Sequence, residues 1–181
     1  MAAMDQPVID AGAGLRLRPL AVPDAETVLR AYGDPLIRHF HGRSLESVAE
    51  AEDLVRHSHG GWSDEKHANW VVERTDGTVA IVGRVGLSYI DLERGIAEIS
   101  YWVLPEARGG GVAVAAASAL ADWSLDVLGI HRLEIMHSTT NPASCAVASK
   151  AGFEAEGTLR SYQLHEDGWH DMHLHSRIRP D

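Results

Sequence analysis

Arg108-Gly109-Gly110-Gly111-Val112-Ala113 joins two segments of different periodicity and sets the architecture around it. Before it, residues 97–104 form an extended, largely apolar run that ends at Pro105. After it, the sequence from Val112 to about Leu128 is compatible with a helix. Where a strand enters a helix through consecutive glycines, unpaired backbone N–H groups and the helix dipole favour an anionic ligand. The turn therefore predicts an anion site, with a flexible connector as the alternative.

Two common phosphate-binding patterns do not match this turn. The P-loop requires Gly-Lys-Ser or Gly-Lys-Thr after the glycines, and neither follows here. The dinucleotide fingerprint requires a third Gly or Ala where Val114 stands, and the strands before this turn are predicted to form an antiparallel meander instead of a parallel unit. Neither an ATP site nor a nicotinamide site is indicated.

The sequence on both sides of the turn predicts one α/β domain. We expect strands at residues 15–20, 69–74, 78–89, 97–104 and 132–136, and two more around the turn Glu166-Asp167-Gly168. Besides the helix after the glycines, we expect helices from Asp24 to Tyr32, from Ser44 or Ser47 to Gly60-Gly61, and from Pro142 to Lys150. Residues 1–14 are expected to be a flexible leader, and residues 15–178 the domain.

Composition narrows the class of protein. The 181 residues suit a single core, and 45% hydrophobic and 23% charged residues are typical of a globular domain. The formal net charge of −10, with scattered Lys and Arg, disfavours a nucleic-acid partner and favours an amine-bearing one. Cys145 is the one cysteine, which excludes an intrachain disulfide. No apolar run is long enough to span a bilayer, so we expect a cytoplasmic protein with no membrane partner.

Two motifs, in this order, resemble those of the GNAT superfamily of N-acetyltransferases. The first is Arg/Gln-x-x-Gly-x-Gly/Ala, here Arg108, Gly111 and Ala113, which follows a strand containing Tyr-Trp-Val-Leu-Pro. The second is a helix that begins with Asn141 and Ser144 and closes with Lys-x-Gly-Phe. Residues 15–20, 156–160 and 169–171 also resemble the branch that contains the ribosomal-protein N-terminal acetyltransferases. The resemblance covers about residues 15–178.

This resemblance implies a fold and a cosubstrate. The fold is α/β (α+β), the GNAT fold, with a mixed, mostly antiparallel twisted sheet of about seven strands and four helices on both faces. The sheet is expected to split near its middle to admit the pantetheine arm of acetyl-CoA, whose pyrophosphate would lie on the glycine turn. The residues expected to bind acetyl-CoA are Val103, Arg108, Gly109, Gly110, Gly111, Val112, Ala113, Asn141 and Ser144.

The resemblance further implies direct attack of an amine on the thioester, without a covalent acyl-enzyme. Glu98 is the predicted general base, because this branch commonly carries a glutamate at that point of the strand; a solvated strand glutamate is the alternative. Ser144 is predicted to hydrogen-bond or protonate the departing thiolate, or else to be a polar residue of the first helical turn. Many relatives use a tyrosine for this, and the second motif of this sequence contains none. His137 is a weaker candidate for proton transfer.

Other reactive side chains are predicted to have no catalytic role. Cys145 stands among apolar residues and is expected to be a buried, unreactive thiol. The pairs His57/His59 and His173/His175 have i, i+2 spacing without accompanying acidic ligands, which is common by chance in a chain with 11 histidines. We therefore predict no metal site.

Acceptor recognition is expected from two regions that flank the acetyl end in this fold. One consists of the two early helices with their loop at residues 38–43, and the other is the C-terminal hairpin with Tyr162 and Trp169, whose rings suit an amine. Core packing is the alternative for Trp62, Trp70 and Trp169.

The sequence thus predicts an N-acetyltransferase that moves the acetyl group of acetyl-CoA to a primary amine. The first acceptor class is the N-terminal α-amino group of a protein or peptide. The second is a small-molecule amine, such as an antibiotic, a polyamine or an amino acid. The alternative to an enzyme is a non-catalytic acyl-CoA-binding module. For the assembly, the sequence is compatible with a homodimer.

Overall fold

Eight strands form one sheet in the computed structural model, which describes residues 1–77 and 80–180. The strands are β1 (Ile9–Gly12), β2 (Leu15–Pro19), β3 (Ala68–Arg74), β4 (Ile81–Asp91), β5 (Ile96–Val103), β6 (Arg132–Ser138), β7 (Glu154–His165) and β8 (Gly168–Ile178). Their order across the sheet is β1-β2-β3-β4-β5-β6-β8-β7. Thr78 and Val79, with which the predicted strand 78–89 begins, lie outside the described residues.

Five α-helices cover the two faces of this sheet. They are α1 (Ala25–Gly33), α2 (Pro35–His41), α3 (Val48–Ser63), α4 (Val112–Asp126) and α5 (Pro142–Lys150), and single 3₁₀ turns occupy Val22–Asp24 and Pro105–Ala107. One core cluster joins α1, α2 and α3 to Val71, whereas the other joins α4 and α5 to Trp70 and Val72. Because these residues alternate along β3, the two clusters lie on opposite faces. In the described ranges, none of the helices combines the length and apolar character needed to cross a membrane.

The sheet opens between β5 and β6. These two strands are parallel neighbours connected through α4, whereas the other neighbouring pairs described are antiparallel. Their pairing covers only residues 96–98 of β5 and 132–134 of β6. Beyond that point β5 continues to Val103 and β6 to Ser138 without pairing to each other. The predicted α/β fold with a split sheet is confirmed, and the gap exposes one edge of β5.

The structure has one strand and one helix more than the sequence predicted. The additional helix is α2, which replaces most of the expected loop at residues 38–43. The sequence contains the signals for its start, an Asp at the N-cap and Pro35 in the first turn. The Asp34 side chain accepts a hydrogen bond from the Ile37 N–H, as such a cap does. It ends at Gly42, whose φ of 59° is left-handed. The loop prediction was wrong because Gly33-Asp34-Pro35 ends one helix and starts the next.

The helix α3 begins after Ser47, which confirms the second of its two candidate caps. Gly60-Gly61 does not end it, and the helix continues to Ser63. At Gly61 an added Cβ would lie 2.2 Å from the ring of His67. The glycine therefore allows His67 to pack closely against α3, and it does not end the helix.

The additional strand is β1, within the segment expected to be a leader. Ile9–Gly12 pairs antiparallel with β2 at the edge of the sheet. Upstream of it, the buried Trp62 indole N–H donates to the Met4 carbonyl at 2.9 Å, and that of Trp70 donates to the Pro7 carbonyl at 2.8 Å. Buried indoles need such acceptors. The leader prediction was wrong for these residues, because they complete the sheet and the tryptophan cluster.

Candidate active site

A cleft of about 730 Å³ occupies the gap between β5 and β6. It has the size of an ordinary small-molecule site. Its walls come from α2, the end of β4, β5, the glycine turn, β6 and α5, with Gln163 and Met172 from the C-terminal hairpin. All predicted cofactor-binding residues except Gly110 line this cleft: Val103, Arg108, Gly109, Gly111, Val112, Ala113, Asn141 and Ser144.

The glycine turn presents backbone N–H groups to one end of the cleft. Gly109 and Gly111 have φ of 78° and 77°, a left-handed conformation that side chains other than glycine rarely adopt. Gly111 is the N-cap of α4, and the first helical hydrogen bond runs from the Ala115 N–H to the Gly111 carbonyl. The N–H groups of Val112 to Val114 therefore have no acceptor inside the helix. This geometry suits an anion such as a phosphate.

Arg108 connects the turn to α2. Its Nε donates to the Val103 carbonyl at 3.1 Å, and its Nη2 donates to Asp34 Oδ1 at 2.6 Å. Burial raises the pKa of Asp34, but hydrogen bonds from Arg108 and from the Ile37 and Leu36 backbone outweigh it and hold that pKa below its usual range. Asp34 thus caps α2 and pairs with Arg108 at the same time.

Glu98 lies on the wall of the cleft at the point where β5 leaves β6. Its partner across the last paired position is Glu134. Burial raises the pKa of Glu98 to about 7, and the negative charge of Glu134 adds to the rise. A carboxyl group with this pKa exchanges protons near neutral pH, as general acid–base catalysis requires. Glu98, the predicted base, therefore borders the cleft and has a pKa suited to proton transfer near neutral pH.

Ser144 has a tyrosine beside it, which comes from outside the second motif. Tyr101 reaches across the gap from β5, and its hydroxyl lies 2.7 Å from Ser144 Oγ. Burial raises the pKa of Tyr101 to about 12, which keeps the phenol protonated. The second motif contains no tyrosine, and Tyr101 is 43 residues away from Ser144 in the sequence. Its place on the strand before the glycine turn was the available signal.

Asn141 has a structural role besides its place in the cleft. It is the N-cap of α5, and its Oδ1 accepts a hydrogen bond from the Ser144 N–H at 3.1 Å. It also lines the cleft, as does Lys150 at the other end of α5. Capping fixes the first turn of α5 and therefore the position of the Ser144 hydroxyl.

Three more aromatic side chains line the cleft: Phe40 and His41, from the region 38–43 predicted to contact the acceptor, and Tyr89, which the sequence did not single out. His41 Nε2 lies 3.0 Å from the Tyr101 carbonyl, which can only accept, so this nitrogen carries the proton. Burial lowers the pKa of His41 to about 4, and the charge of Arg84 adds to the fall, so the ring is neutral. Tyr89 lines the mouth with an exposed ring and a strained φ of 50°. Phe40 adds an apolar surface.

The predicted aromatic contacts of the C-terminal hairpin are not made. Tyr162 and Trp169 are 53% and 63% exposed and do not line the cleft, whereas Gln163 does. Core packing is correct for Trp62 and Trp70 and wrong for Trp169. Alternation along β7 points Tyr162 and Gln163 to opposite faces, which the sequence did not resolve.

Two groups remain of the histidines discussed in the sequence analysis: His57 and His59 lie away from the cleft, whereas His137 and His175 lie beside Cys145 at its wall. The His57 ring stacks on His67, and His59 Nε2 lies 2.7 Å from the Leu20 carbonyl, both away from the cleft. His137 lines the cleft, and its Nε2 faces that of His175. Cys145 lies next to this pair and is half-buried, less enclosed than expected.

Comparison with known proteins agrees with this geometry. Residues 14–154 match the family described as acetyltransferase (GNAT) domain. The uncharacterized N-acetyltransferase YoaA of Bacillus subtilis (strain 168) is 26% identical over 92% of this chain and 94% of its own. Spermidine N(1)-acetyltransferase of Escherichia coli (strain K12) is 30% identical over 80% of this chain and 75% of its own.

A solved structure of RimL, a ribosomal L7/L12 alpha-N-protein acetyltransferase in complex with coenzyme A, has the same fold. Its TM-score is 0.85 at 19% identity, over 95% of this chain and 98% of that one. The family match includes the glycine turn and most of the cleft. The chain is therefore an acetyl-transferring enzyme and belongs to the GNAT family of acetyltransferases.

Proposed function

We propose that this enzyme transfers the acetyl group of acetyl-CoA to the N-terminal α-amino group of a protein or peptide. One observation carries the choice of acceptor. Among the residues described (1–77 and 80–180), Glu98 is the one carboxylate that lines the cleft. A single carboxylate matches a single amine, whereas a polyamine has several cationic centres that call for several acidic partners. We propose the cytoplasm as its compartment, since a single cysteine suits reducing conditions.

The cleft fits acetyl-CoA at both of its ends. The free N–H groups at the start of α4 suit the pyrophosphate, and open space lies where Cβ atoms of Gly109 and Gly111 would point. The part of β5 from Ile99 to Val103 does not pair with β6 and offers backbone groups to the amides of a pantetheine arm, although the Tyr101 and Val103 carbonyls already accept from His41 and Arg108. When bound, acetyl-CoA supplies a thioester carbonyl as the electrophile.

Two side chains handle protons in the proposed mechanism. Glu98 removes a proton from the incoming ammonium, whose usual pKa of about 8 in model peptides lies close to that of this carboxyl. The Tyr101 hydroxyl donates a proton to the departing sulfur, and the Ser144 hydroxyl orients Tyr101 through their hydrogen bond. Neutral His41 fixes the backbone of Tyr101 from the acceptor side.

Spermidine is the competing acceptor. A relative that is 30% identical is named a spermidine N(1)-acetyltransferase, and the net charge of −10 would attract a polycation. The cleft itself carries the cations Arg108 and Lys150 besides Glu98. The local charge therefore favours an acceptor with one amine.

The deciding experiment compares acceptors at equal concentration, with release of coenzyme A thiol as the measurement. We expect kcat/KM for short peptides with a free N-terminus to exceed that for spermidine and for amino acids at least tenfold. Peptides with an acetylated N-terminus should be inactive. Turnover confined to spermidine or other small amines would remove the peptide proposal, and binding of acetyl-CoA without turnover of any acceptor would favour a non-catalytic module.

A matched pair of variants tests the charge argument. Ser88 faces Glu98 across β4 and β5 and lines the cleft. Ser88→Asp should raise spermidine turnover relative to peptide turnover, because it adds a second carboxylate. Ser88→Asn, with the same size and no charge, should leave the ratio unchanged. Equal effects of both variants would show that charge in the cleft does not select the acceptor.

A further inference from the structure

A second cluster of reactive side chains lies behind the wall of the cleft formed by β6 and α5. His137, Cys145, His173 and His175 each offer one ligand atom, and these four atoms all lie within 4.8 Å of one another. The β6–β8 register places His137 opposite His173. His175 follows two residues later on the same face, and α5 covers that face and contributes Cys145. Three secondary-structure elements therefore converge on one point.

The distances in this cluster are close to those of a tetrahedral metal site. His137 Nε2 and His175 Nε2 are 3.1 Å apart, and Cys145 Sγ is 4.0 Å from His175 Nε2. Zinc bonds of about 2.0 Å to nitrogen and about 2.3 Å to sulfur give tetrahedral separations of roughly 3.3 Å between nitrogens and roughly 3.6 Å from nitrogen to sulfur. Shifts of a few tenths of an ångström would bring these two separations to the tetrahedral values.

The orientation of His137 is also that of a metal ligand. Its Nδ1 lies 2.9 Å from the Ser138 carbonyl, which can only accept, so Nδ1 carries the proton. Its Nε2 therefore presents a lone pair to His175 and Cys145. An imidazole held by a backbone carbonyl through one nitrogen, with the other nitrogen free, is the usual arrangement in metal sites.

We propose that His137 Nε2, His175 Nε2, Cys145 Sγ and a ring nitrogen of His173 form a zinc site that fastens α5 to β6 and β8. Imidazole and thiolate ligands suit Zn²⁺, and binding releases the thiol proton of Cys145. Of the four residues, only His137 was considered for catalysis in the sequence, as a weaker candidate for proton transfer, and it also borders the cleft. The expectation of no metal considered the His57/His59 and His173/His175 pairs, and the fold adds His137 and Cys145 to the second pair.

The test uses Co²⁺ as a spectroscopic substitute for Zn²⁺ in untagged, metal-free protein, with a phosphine reductant and without coenzyme A. Since Cys145 is the only cysteine, a thiolate-to-cobalt charge-transfer band in the near ultraviolet reports this site alone. We expect one equivalent of Co²⁺ to produce the band and Zn²⁺ to abolish it. We expect Cys145→Ser to lack the band. Absence of the band in the unmodified protein overturns the proposal.

Control variants separate this site from another group of histidines. His39, His165 and His170 also lie within 4.8 Å of one another, but they include no sulfur. His165→Gln should therefore keep the cobalt band, whereas His173→Gln should weaken cobalt binding at least tenfold. Zn²⁺ at one hundred times its dissociation constant should raise the Tm of the unmodified protein by roughly 5–10 °C. An equal rise in Cys145→Ser would assign the binding to the other histidines and refute the proposal.

A measurement on the unmodified protein avoids any effect of substitution on folding. The Cys145 thiol is half-buried and accessible to a small disulfide reagent. Zn²⁺ should slow the reaction of this thiol at least tenfold, and Mg²⁺, which prefers oxygen ligands, should not. An unchanged rate with saturating Zn²⁺ contradicts coordination by Cys145.

Discussion

The hydroxyl groups of Tyr101 and Ser144 lie 2.7 Å apart, although one belongs to β5 and the other to α5. The contact bridges the opening of the sheet. Because the phenol has its pKa raised by burial to about 12, it remains a proton donor throughout the physiological range. We therefore predict that Tyr101→Phe lowers kcat about 10²-fold and leaves the KM for acetyl-CoA nearly unchanged, as measured by thiol release.

The Ser144→Ala variant is the control for that prediction. It should cost less than about tenfold in kcat, because Tyr101 keeps its proton and loses only its orientation. The double variant should be no slower than Tyr101→Phe, since two groups that act as one unit are not additive. A larger loss in Ser144→Ala than in Tyr101→Phe would identify the serine as the donor.

The pH dependence of turnover should report Glu98. This carboxyl has a pKa of about 7 and acts as a base only when ionised. We predict that kcat for a peptide acceptor rises with pH up to about 7 and then levels, and that Glu98→Gln removes this limb and lowers kcat. The pH midpoint of this rise in kcat should be the same for acceptors whose amines differ in pKa. If the midpoint of this rise shifts with the pKa of the acceptor amine, and the rise persists in Glu98→Gln, Glu98 is excluded as the base.

Glu98 should also lower the stability of the fold at neutral pH. Its pKa in the folded state is raised above the usual 4.5, mainly by burial. Below pH 4.5 the carboxyl is protonated in the folded and the unfolded state, but above pH 7 folding must bury a charge. We predict that Glu98→Gln raises the Tm by several degrees at pH 8, with the gain vanishing toward pH 4.5. Thermal unfolding at both pH values checks this, and a constant difference would contradict it.

The glycine turn offers a matched pair of substitutions. Gly111 is left-handed, with a φ of 77°, so Ala is strained there by about 1–2 kcal/mol. We predict that Gly111→Ala lowers the Tm by roughly 2–8 °C and weakens acetyl-CoA binding about tenfold. An added Cβ at Gly110 would lie 3.7 Å from the Ala107 carbonyl, an ordinary contact. Gly110→Ala should therefore change both quantities little, and calorimetric titration with acetyl-CoA distinguishes the two.

Local signals in the sequence were sufficient for most of the fold. The glycine turn, the start of α5 after Asn141 and the strand at residues 69–74 each depend on neighbouring residues, and all three were predicted correctly. The strand β1 was missed because a small, Gly/Ala-rich segment has little strand propensity of its own. It is ordered by pairing with β2 and by the indoles of Trp62 and Trp70, which are contacts distant in sequence.

In the candidate site, too, local sequence signals were sufficient for some residues, whereas contacts between residues distant in sequence could not be predicted. Residues of the two motifs, such as Arg108 and Asn141, were predicted to contact the cosubstrate, and they line the cleft. Tyr101 could not be paired with Ser144, nor Cys145 with the three histidines, because only the packing of α5 on the sheet brings them together. Spacing along the chain does not contain that information.

The ion pair between Arg108 and Asp34 has a thermodynamic consequence. It joins the turn that suits a pyrophosphate to the N-cap residue of α2, the helix that carries Phe40 and His41 on the wall of the cleft. Any effect that a bound donor exerts through this pair on the affinity for the acceptor must be returned by the acceptor with the same factor. A substitution that breaks this pair therefore changes that coupling equally for both ligands.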